Sequence, residues 1–131
     1  MGPQVLSSYL DTNVVLFLHA GAVERLPQRA SDHLETHDLL ISAIVMLELE
    51  MLHEKGSINY SAAQILADLN QQIGLSICQL PMAAVVGSAL ALKWTREPGD
   101  RLIVANAIAA NEAPLVTSDR RIREHYKNAI W

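Results

Sequence analysis

Short apolar runs alternate with longer segments of helical period along the whole chain, and this alternation constrains the fold more than any other feature. The apolar runs at residues 6–10, 39–41, 75–80 and 115–117 have the length of strands, and residues 129–131 can add an edge strand. Strands that alternate with helices through one chain predict an α/β fold with a largely parallel sheet.

Cap residues and helix breakers predict where the helices lie. Ser42 can cap a helix that ends before Gly56, and Pro81 can open another at its first position. Ser61, with Gln64 three residues on, forms a capping-box pattern. The predicted helices cover residues 14–20, 27–37, 43–55, 61–72, 81–94, 101–111 and 120–126.

The length and composition indicate one domain with an aliphatic core. The chain has 131 residues, half of them hydrophobic but only 5% aromatic, so one domain over residues 1–131 can bury a core without disulfides. Cys78 is the only cysteine and lies in an apolar run, which favours a small buried hydrophobe in a reducing compartment. We found no secretory signal at the amino terminus and no run long enough to span a membrane, so we expect a cytoplasmic protein.

The net charge of −4 gives no overall argument for a nucleic-acid partner, but the charges are unevenly distributed. Seven of the ten lysines and arginines lie in residues 93–131. Such asymmetry can mark a phosphate-binding face on an otherwise acidic protein, although ordinary solvated helix faces would look the same.

Three aspartates follow predicted strands or precede predicted helices. Asp11 comes directly after the first strand, Asp119 follows the strand at residues 115–117, and Asp100 precedes the helix that starts at Arg101. Each has the position of an N-cap, and Thr12 or Asn13 could serve the first helix in place of Asp11. Because parallel sheets place their functional crevice beyond the carboxyl ends of the strands, Asp11 and Asp119 are also candidate site residues.

Glu48 has no capping explanation, because it lies in the middle of a predicted helix. At about 100° per residue, the apolar side chains of this helix spread over roughly 200°, with Glu48 at the centre of their arc. A carboxylate there must be offset by an arginine, by hydrogen bonds or by a metal ion.

Several carboxylates that converge with few other ligands favour a hard cation, Mg²⁺ or Mn²⁺. The solitary cysteine and the scattered histidines argue against zinc, and no glycine-rich nucleotide loop is present. Asn106, a polar residue inside an apolar helix, is more readily explained as a hydrogen-bonded core residue than as a ligand.

The segments LDTNVVLFL, SAIVMLELEML and GDRLIVANAIAANEAPLVTSDRRI, in this order, resemble the successive motifs of PIN-domain ribonucleases. Within that superfamily the chain is most similar to VapC toxins of bacterial toxin–antitoxin modules. The resemblance implies a three-layer α/β/α PIN-like domain with a central, mostly parallel sheet of four to five strands. Gly99 and Glu97 depart modestly from the usual pattern without removing an acid.

The resemblance also implies a mechanism and a set of site residues. The carboxylates of Asp11, Glu48, Asp100 and Asp119 would hold one or two Mg²⁺ or Mn²⁺ ions for cleavage of RNA phosphodiester bonds. The supporting residues would be Thr12, Asn13, Thr117 and Ser118. The candidate RNA contacts are Arg96, Arg101, Arg120 and Arg121.

A VapB-like antitoxin and a homodimer are the partners that the resemblance implies. The apolar segment at residues 82–94 could belong to the core or to a dimer surface. Two alternatives to a toxin stay open at this point. One is a PIN nuclease of RNA processing or decay that has no antitoxin, and the other is a non-catalytic binding module of the same fold.

Overall fold

The structure, a computed structural model, describes residues 6–131. Within them five strands form one sheet in the order β3-β2-β1-β4-β5, and all neighbouring strands are parallel. The strands are β1 (Ser7–Leu10), β2 (Asp38–Ile41), β3 (Ser76–Ile77), β4 (Leu115–Val116) and β5 (Ala129–Ile130). The prediction of a mostly parallel sheet is therefore confirmed, and the edge strand at the carboxyl terminus pairs with β4.

Seven α-helices flank the sheet within the described part of the chain, in a three-layer α/β/α arrangement. They are α1 (Thr12–His19), α2 (Gln28–Glu35), α3 (Ala43–Glu54), α4 (Ala62–Ile73), α5 (Met82–Ala89), α6 (Pro98–Ala109) and α7 (Arg120–His125). Ser42 and Ser61 cap α3 and α4 as predicted, through the amides of Ile44 and Gln64. The prediction that the amino terminus is not a secretory signal rests partly on residues 1–5, which lie outside the described residues.

Helix α6 begins three residues before the predicted start. Glu97 is its N-cap and accepts a hydrogen bond from the Gly99 amide at 3.4 Å, while Pro98 takes the first helical position. Proline is well suited to that position because its fixed φ matches the helix and its missing N–H would be unpaired there anyway. Asp100 is therefore in the first turn of α6, and the prediction that it is the N-cap was wrong.

Helix α5 ends at Ala89, well before the predicted end at Trp94. The Arg101 guanidinium explains this end, because it donates hydrogen bonds to the carbonyls of Ala89 (2.8 Å), Leu90 (3.3 Å) and Thr95 (3.3 Å). Carbonyls at a helix end have no partner within the helix and need such donors. Strand β3 is also shorter than predicted, since only Ser76 and Ile77 pair with β2.

The core is aliphatic, as the composition predicts. Leu10, Val14, Ile41, Leu115 and Val116 are fully buried between the sheet and its helices. Burial of one such side chain stabilises the fold by about 1.5–3 kcal/mol. Within residues 6–131, no helix combines the length and the apolar character that crossing a membrane requires.

Two polar core predictions need correction. Cys78 is half-buried rather than buried, and the Tyr9 hydroxyl donates a hydrogen bond to its sulfur at 3.1 Å. Asn106 is buried at 4% exposure, but its amide nitrogen has no hydrogen-bond partner among the described residues. Asn106 is therefore a core residue, as predicted, but its amide nitrogen does not make a hydrogen bond of the kind expected there.

Strand β1 occupies the centre of the sheet. The strands that follow it along the chain are added first on one side of β1 and then on the other. Its neighbour on one side is β2 and on the other is β4, so the carboxyl ends of β1 and β4 lie side by side. The pairing of Leu10 with Val116 places Asp11 beside Thr117. Such a topological switch point is where open α/β sheets bind their ligands.

Candidate active site

Asp11 is the best-buried acid of the site and is held by two hydrogen bonds. The Thr12 amide donates to Oδ1 at 2.8 Å, and the Thr117 hydroxyl donates to Oδ2 at 2.6 Å. Asp11 is also the N-cap of α1, whose first residue is Thr12. The suggestion that Thr12 or Asn13 caps this helix was wrong, because both lie inside it.

Thr117 links Asp11 to Asp119 by hydrogen bonds at the carboxyl ends of β1 and β4. Its fully buried hydroxyl donates to Asp11 and accepts a hydrogen bond from the Asp119 amide at 3.0 Å. Asp119 caps α7, because its Oδ1 accepts from the Ile122 amide at 3.0 Å. The first turn of α7 thereby fixes the direction of the Asp119 carboxylate, and Thr117 fixes that of Asp11.

Glu48 reaches the same site from α3. The Thr12 hydroxyl donates to its Oε1 at 2.6 Å. The side chain is half-buried and lies on the boundary of the apolar arc: Val45 and Leu49 on one side are buried, while Leu47 on the other is 51% exposed. The predicted position in the middle of a buried apolar face is therefore only half correct.

Gly99 makes room for the Glu48 carboxylate. A Cβ atom at position 99 would overlap Oε2 of Glu48, although Gly99 itself has an ordinary helical conformation. The glycine that departs from the family pattern thus has a steric reason in this chain, since the Glu48 carboxylate packs directly against the first turn of α6.

Asp100 completes the set of acids. It is half-buried in the first turn of α6, one residue beyond Gly99. Together the four acids line one cleft of about 390 Å³. The remaining lining residues are Thr12, Asn13, Met51, Leu52 and Lys55. Ser118, which was predicted to support the site, is half-buried and does not line this cleft.

Burial and neighbouring charges disfavour the charged forms of three of the acids. Burial, followed by the charges of Asp119, Asp11, Glu48 and Glu97, raises the pKa of Asp100 to about 6. Burial also raises the pKa of Asp11 and of Glu48, against the opposing effect of their hydrogen bonds from Thr117 and Thr12 respectively. A cleft of this kind attracts protons or cations at neutral pH.

The donor set fits a divalent cation that prefers oxygen ligands. Among residues 6–131 no three His, Cys, Asp or Glu side chains come close enough together to form a ready-made metal cage. Mg²⁺ does not need such a cage, because it keeps several waters and is usually bound through one or two carboxylates. The four acids around one cleft therefore suit Mg²⁺ or Mn²⁺, and they do not suit a four-coordinate zinc site.

Lys55 is a cleft residue that the sequence analysis missed. It is exposed at the end of α3 and lines the cleft alongside the acids. Its position seven residues after Glu48 was a usable signal, because residues at i, i+4 and i+7 share one helix face. Leu52, at i+4, lines the cleft as well.

The predicted RNA contacts divide into two groups. Arg96, Arg120 and Arg121 are exposed, although Arg120 pairs with Glu124 at 3.0 Å. Arg101 instead donates hydrogen bonds from its guanidinium to the three carbonyls around the end of α5. RNA binding by Arg101 stays a prediction, although its guanidinium already joins α6 to α5.

The fold and the cleft define a parallel α/β protein with a carboxylate-lined site at the switch point of its sheet. The chain belongs to the PIN domain family, whose model matches residues 8–128. No sequence among the curated proteins matches the chain.

Three solved toxin–antitoxin structures share the fold along nearly the whole chain. The VapBC2 complex of Rickettsia felis, bound to a promoter DNA fragment, contains a chain with a TM-score of 0.62 and 20% identity. The DNA-bound VapBC of Salmonella typhimurium gives 0.61 and 20%, and a toxin–antitoxin complex from Klebsiella pneumoniae gives 0.60 and 16%. In each case the match covers 95% of this chain and 96% of the other.

Proposed function

We propose that this protein is a metal-dependent endoribonuclease and the toxin of a toxin–antitoxin pair. The observation that carries the proposal is the four-acid cleft at the switch point of a PIN domain, where burial and the charges of the neighbouring acids raise the pKa of Asp100. Nucleases of this family generally use divalent metal ions, which supply a site for an activated water and stabilise the charge that develops on the phosphate.

Each acid has a role that follows from its contacts. Asp11, Asp100 and Asp119 would hold one or two Mg²⁺ or Mn²⁺ ions. Asp11 and Asp119 are held in place by Thr117 and by the caps of α1 and α7. Glu48, fixed by the Thr12 hydroxyl, would orient the attacking water or a ligand. These hydrogen bonds position the carboxylates before substrate binds, so little reorganisation is needed during the reaction.

Cations around the cleft would bind the RNA backbone. Lys55 lines the cleft on the α3 side, while Arg96, Arg120 and Arg121 lie on the segments that carry Asp100 and Asp119. An acidic cleft repels a polyanion unless basic side chains flank it, and backbone contacts of this kind supply most non-specific affinity for nucleic acid. Such contacts position the RNA without selecting a sequence.

A small antitoxin protein is the proposed physiological partner, in the cytoplasm. Support comes from the fold that the chain shares with toxin–antitoxin complexes. A DNA-binding protein encoded by a neighbouring small reading frame would support this partner. Without such a partner, the nuclease would be assigned to RNA processing or decay.

We also propose a homodimer formed through α3 and α5. Val85 and Ala89 of α5 pack into the core, whereas Met82, Val86 and Leu90 are 66%, 40% and 67% exposed. The segment thus contributes to the core and to an exposed apolar surface at once. A small cavity of about 200 Å³ between α3, α5 and α6 opens beside this surface, with Asn106 in its wall. Exposed apolar surface of this kind commonly marks an interface.

The proposed activity is tested by incubating purified protein with RNA in Mg²⁺ or Mn²⁺ and sequencing the new RNA ends. We expect discrete cuts with the intact protein, none after chelation of the metal, and none with Asp11→Asn. Loss of cleavage in Asp11→Asn must be accompanied by retained thermal stability. Equal cleavage by both proteins would assign the acids a purely structural role and would refute the proposal.

A further inference from the structure

Three side chains form an aromatic and cationic surface on α7 and on the segment before α6, the two segments that carry Asp119 and Asp100. The rings of Trp94 and His125 stack with an interplanar angle of 6° and a centroid distance of 4.7 Å. The Arg121 guanidinium lies 5.9 Å from the Trp94 ring centroid and donates a hydrogen bond to the Trp94 carbonyl. We call this set of Trp94, Arg121 and His125 the stacking surface.

The stacking surface is rigid on its inner side and open on its outer side. Trp94 is half-buried and packs against the main core cluster, which fixes the position of its indole. His125 is exposed, and its Nδ1–H donates a hydrogen bond to the Arg121 carbonyl at 2.9 Å. The imidazole is therefore held parallel to the indole, and its outer face is accessible to a further flat ring.

The stacking surface lies on the same two segments as Asp100 and Asp119. Asp119 caps α7, and Arg121 and His125 lie on the same face of this helix, four residues apart. At a rise of about 1.5 Å per residue, His125 is about 9 Å along α7 from Asp119. Trp94 lies six residues before Asp100 on the segment that leads into α6.

The charges around the stacking surface suit a polyanion. Exposed basic side chains occur on both contributing segments: Lys93, Arg96, Arg121 and Arg123, together with Arg120 and Lys127, which pair with Glu124 at 3.0 Å and with Glu112 at 3.4 Å. Aromatic rings interleaved with basic side chains are the usual means by which proteins bind single-stranded nucleic acid, since every base has a face that can stack.

We propose that the stacking surface binds a nucleobase of single-stranded RNA that flanks the bond cut in the cleft. The inference rests on the proposed function, because it assumes that RNA enters the cleft. The base stacks on the outer face of His125, and Arg121 contacts the adjoining phosphate. The surface thereby sets which part of an RNA is presented to the acids, and it requires an unpaired nucleotide at this point.

His125→Ala is the sharpest test, because His125 is exposed and the variant should fold. We expect the affinity for a short labelled single-stranded RNA, measured in chelator so that no cleavage occurs, to fall by about 5- to 100-fold, the contribution of one stacked base. His125→Phe should retain most of the affinity. With an RNA of equal length whose bases are removed at the central nucleotides, the intact protein and His125→Ala should bind equally.

Two further measurements separate this proposal from simpler explanations. Arg123→Gln removes a charge from α7 without touching the stack, so it should reduce the salt dependence of binding, whereas His125→Ala should leave the salt dependence unchanged. In the cleavage assay, His125→Ala should raise KM with little change in kcat. Unchanged RNA affinity in His125→Ala, or an equal loss with base-free RNA, would overturn the stacking surface. If the intact protein cleaves RNA, the proposed function would stand in either case.

Discussion

Replacing Asp100 by asparagine should stabilise the metal-free protein while abolishing its activity. The pKa of Asp100 is raised from 3.8 to about 6 by burial and by the neighbouring acids. A shift of about two units corresponds to about 3 kcal/mol at about 1.4 kcal/mol per unit. Because the side chain is only half-buried, solvent screening reduces this value, and we expect a gain of about 1–2 kcal/mol in the free energy of unfolding.

The size of this stabilisation depends on pH. Well below pH 3.8 the Asp100 carboxyl is protonated in both the folded and the unfolded chain, and its charge costs the folded state nothing. As the pH rises towards 6, the unfolded chain loses the proton first, so the folded state loses this part of its stability and has lost all of it above about pH 6. The advantage of Asp100→Asn should therefore be fully present at pH 7.5 and vanish at about pH 3.

Urea unfolding in the presence of a chelator measures this difference at both pH values. Asp38→Asn is the matched control, because Asp38 is exposed at the opposite end of the sheet and loses the same charge. Added Mg²⁺ should raise the stability of the intact protein and leave that of Asp100→Asn nearly unchanged, since ligands stabilise only the state that binds them. An Asp100→Asn protein that is no more stable than the intact one at pH 7.5 would refute the reasoning from mutual repulsion.

Three further variants probe the positions of the acids and the flanking charge. Gly99→Ala should lower kcat without lowering the midpoint of thermal unfolding, because alanine favours the helix while its methyl group displaces the flexible end of Glu48; an unchanged kcat would contradict this. Thr117→Val should cost about 1–3 kcal/mol in urea unfolding, because it removes the donor to Oδ2 of the buried Asp11 carboxylate and the acceptor of the Asp119 amide, and Thr117→Ser should restore the loss. Lys55→Met should raise the KM for RNA and reduce the salt dependence of RNA binding by about one phosphate contact. An unchanged salt dependence would exclude Lys55 from the RNA site.

The sheet and most of the helices could be predicted from the sequence, because the patterns that indicate them are local. The serine caps of α3 and α4 and the apolar runs of the strands are each determined by a few neighbouring residues. The end of α5 was mispredicted for the opposite reason. Its last carbonyls accept hydrogen bonds from Arg101, which lies twelve residues after Ala89 in the chain. No pattern of neighbouring residues predicts that contact.

The four acids could be proposed from the sequence, but the reasons they are held in place could not. Thr117 contacts Asp11 across 106 positions of the chain, and Thr12 contacts Glu48 across 36. These hydrogen bonds exist because β1 and β4 are neighbours and because α3 packs beside α1. Both arrangements are consequences of the topology and not of local sequence. Similarly, Trp94 and His125 look like two unrelated surface residues until α7 brings them together.

Helix α3 shows how one apolar pattern can serve two surfaces. Val45 and Leu49 pack into the core, while Met46, Leu47 and Met51 remain 39%, 51% and 50% exposed. Hydropathy alone cannot separate these two sets, because both are apolar and adjacent on the helix. Glu48 lies where they meet, and it needs that position: full burial would impose a large desolvation cost on its carboxylate, and full exposure would remove it from the acids. The exposed half of the arc therefore allows Glu48 to reach the cleft from a helix that still anchors the core.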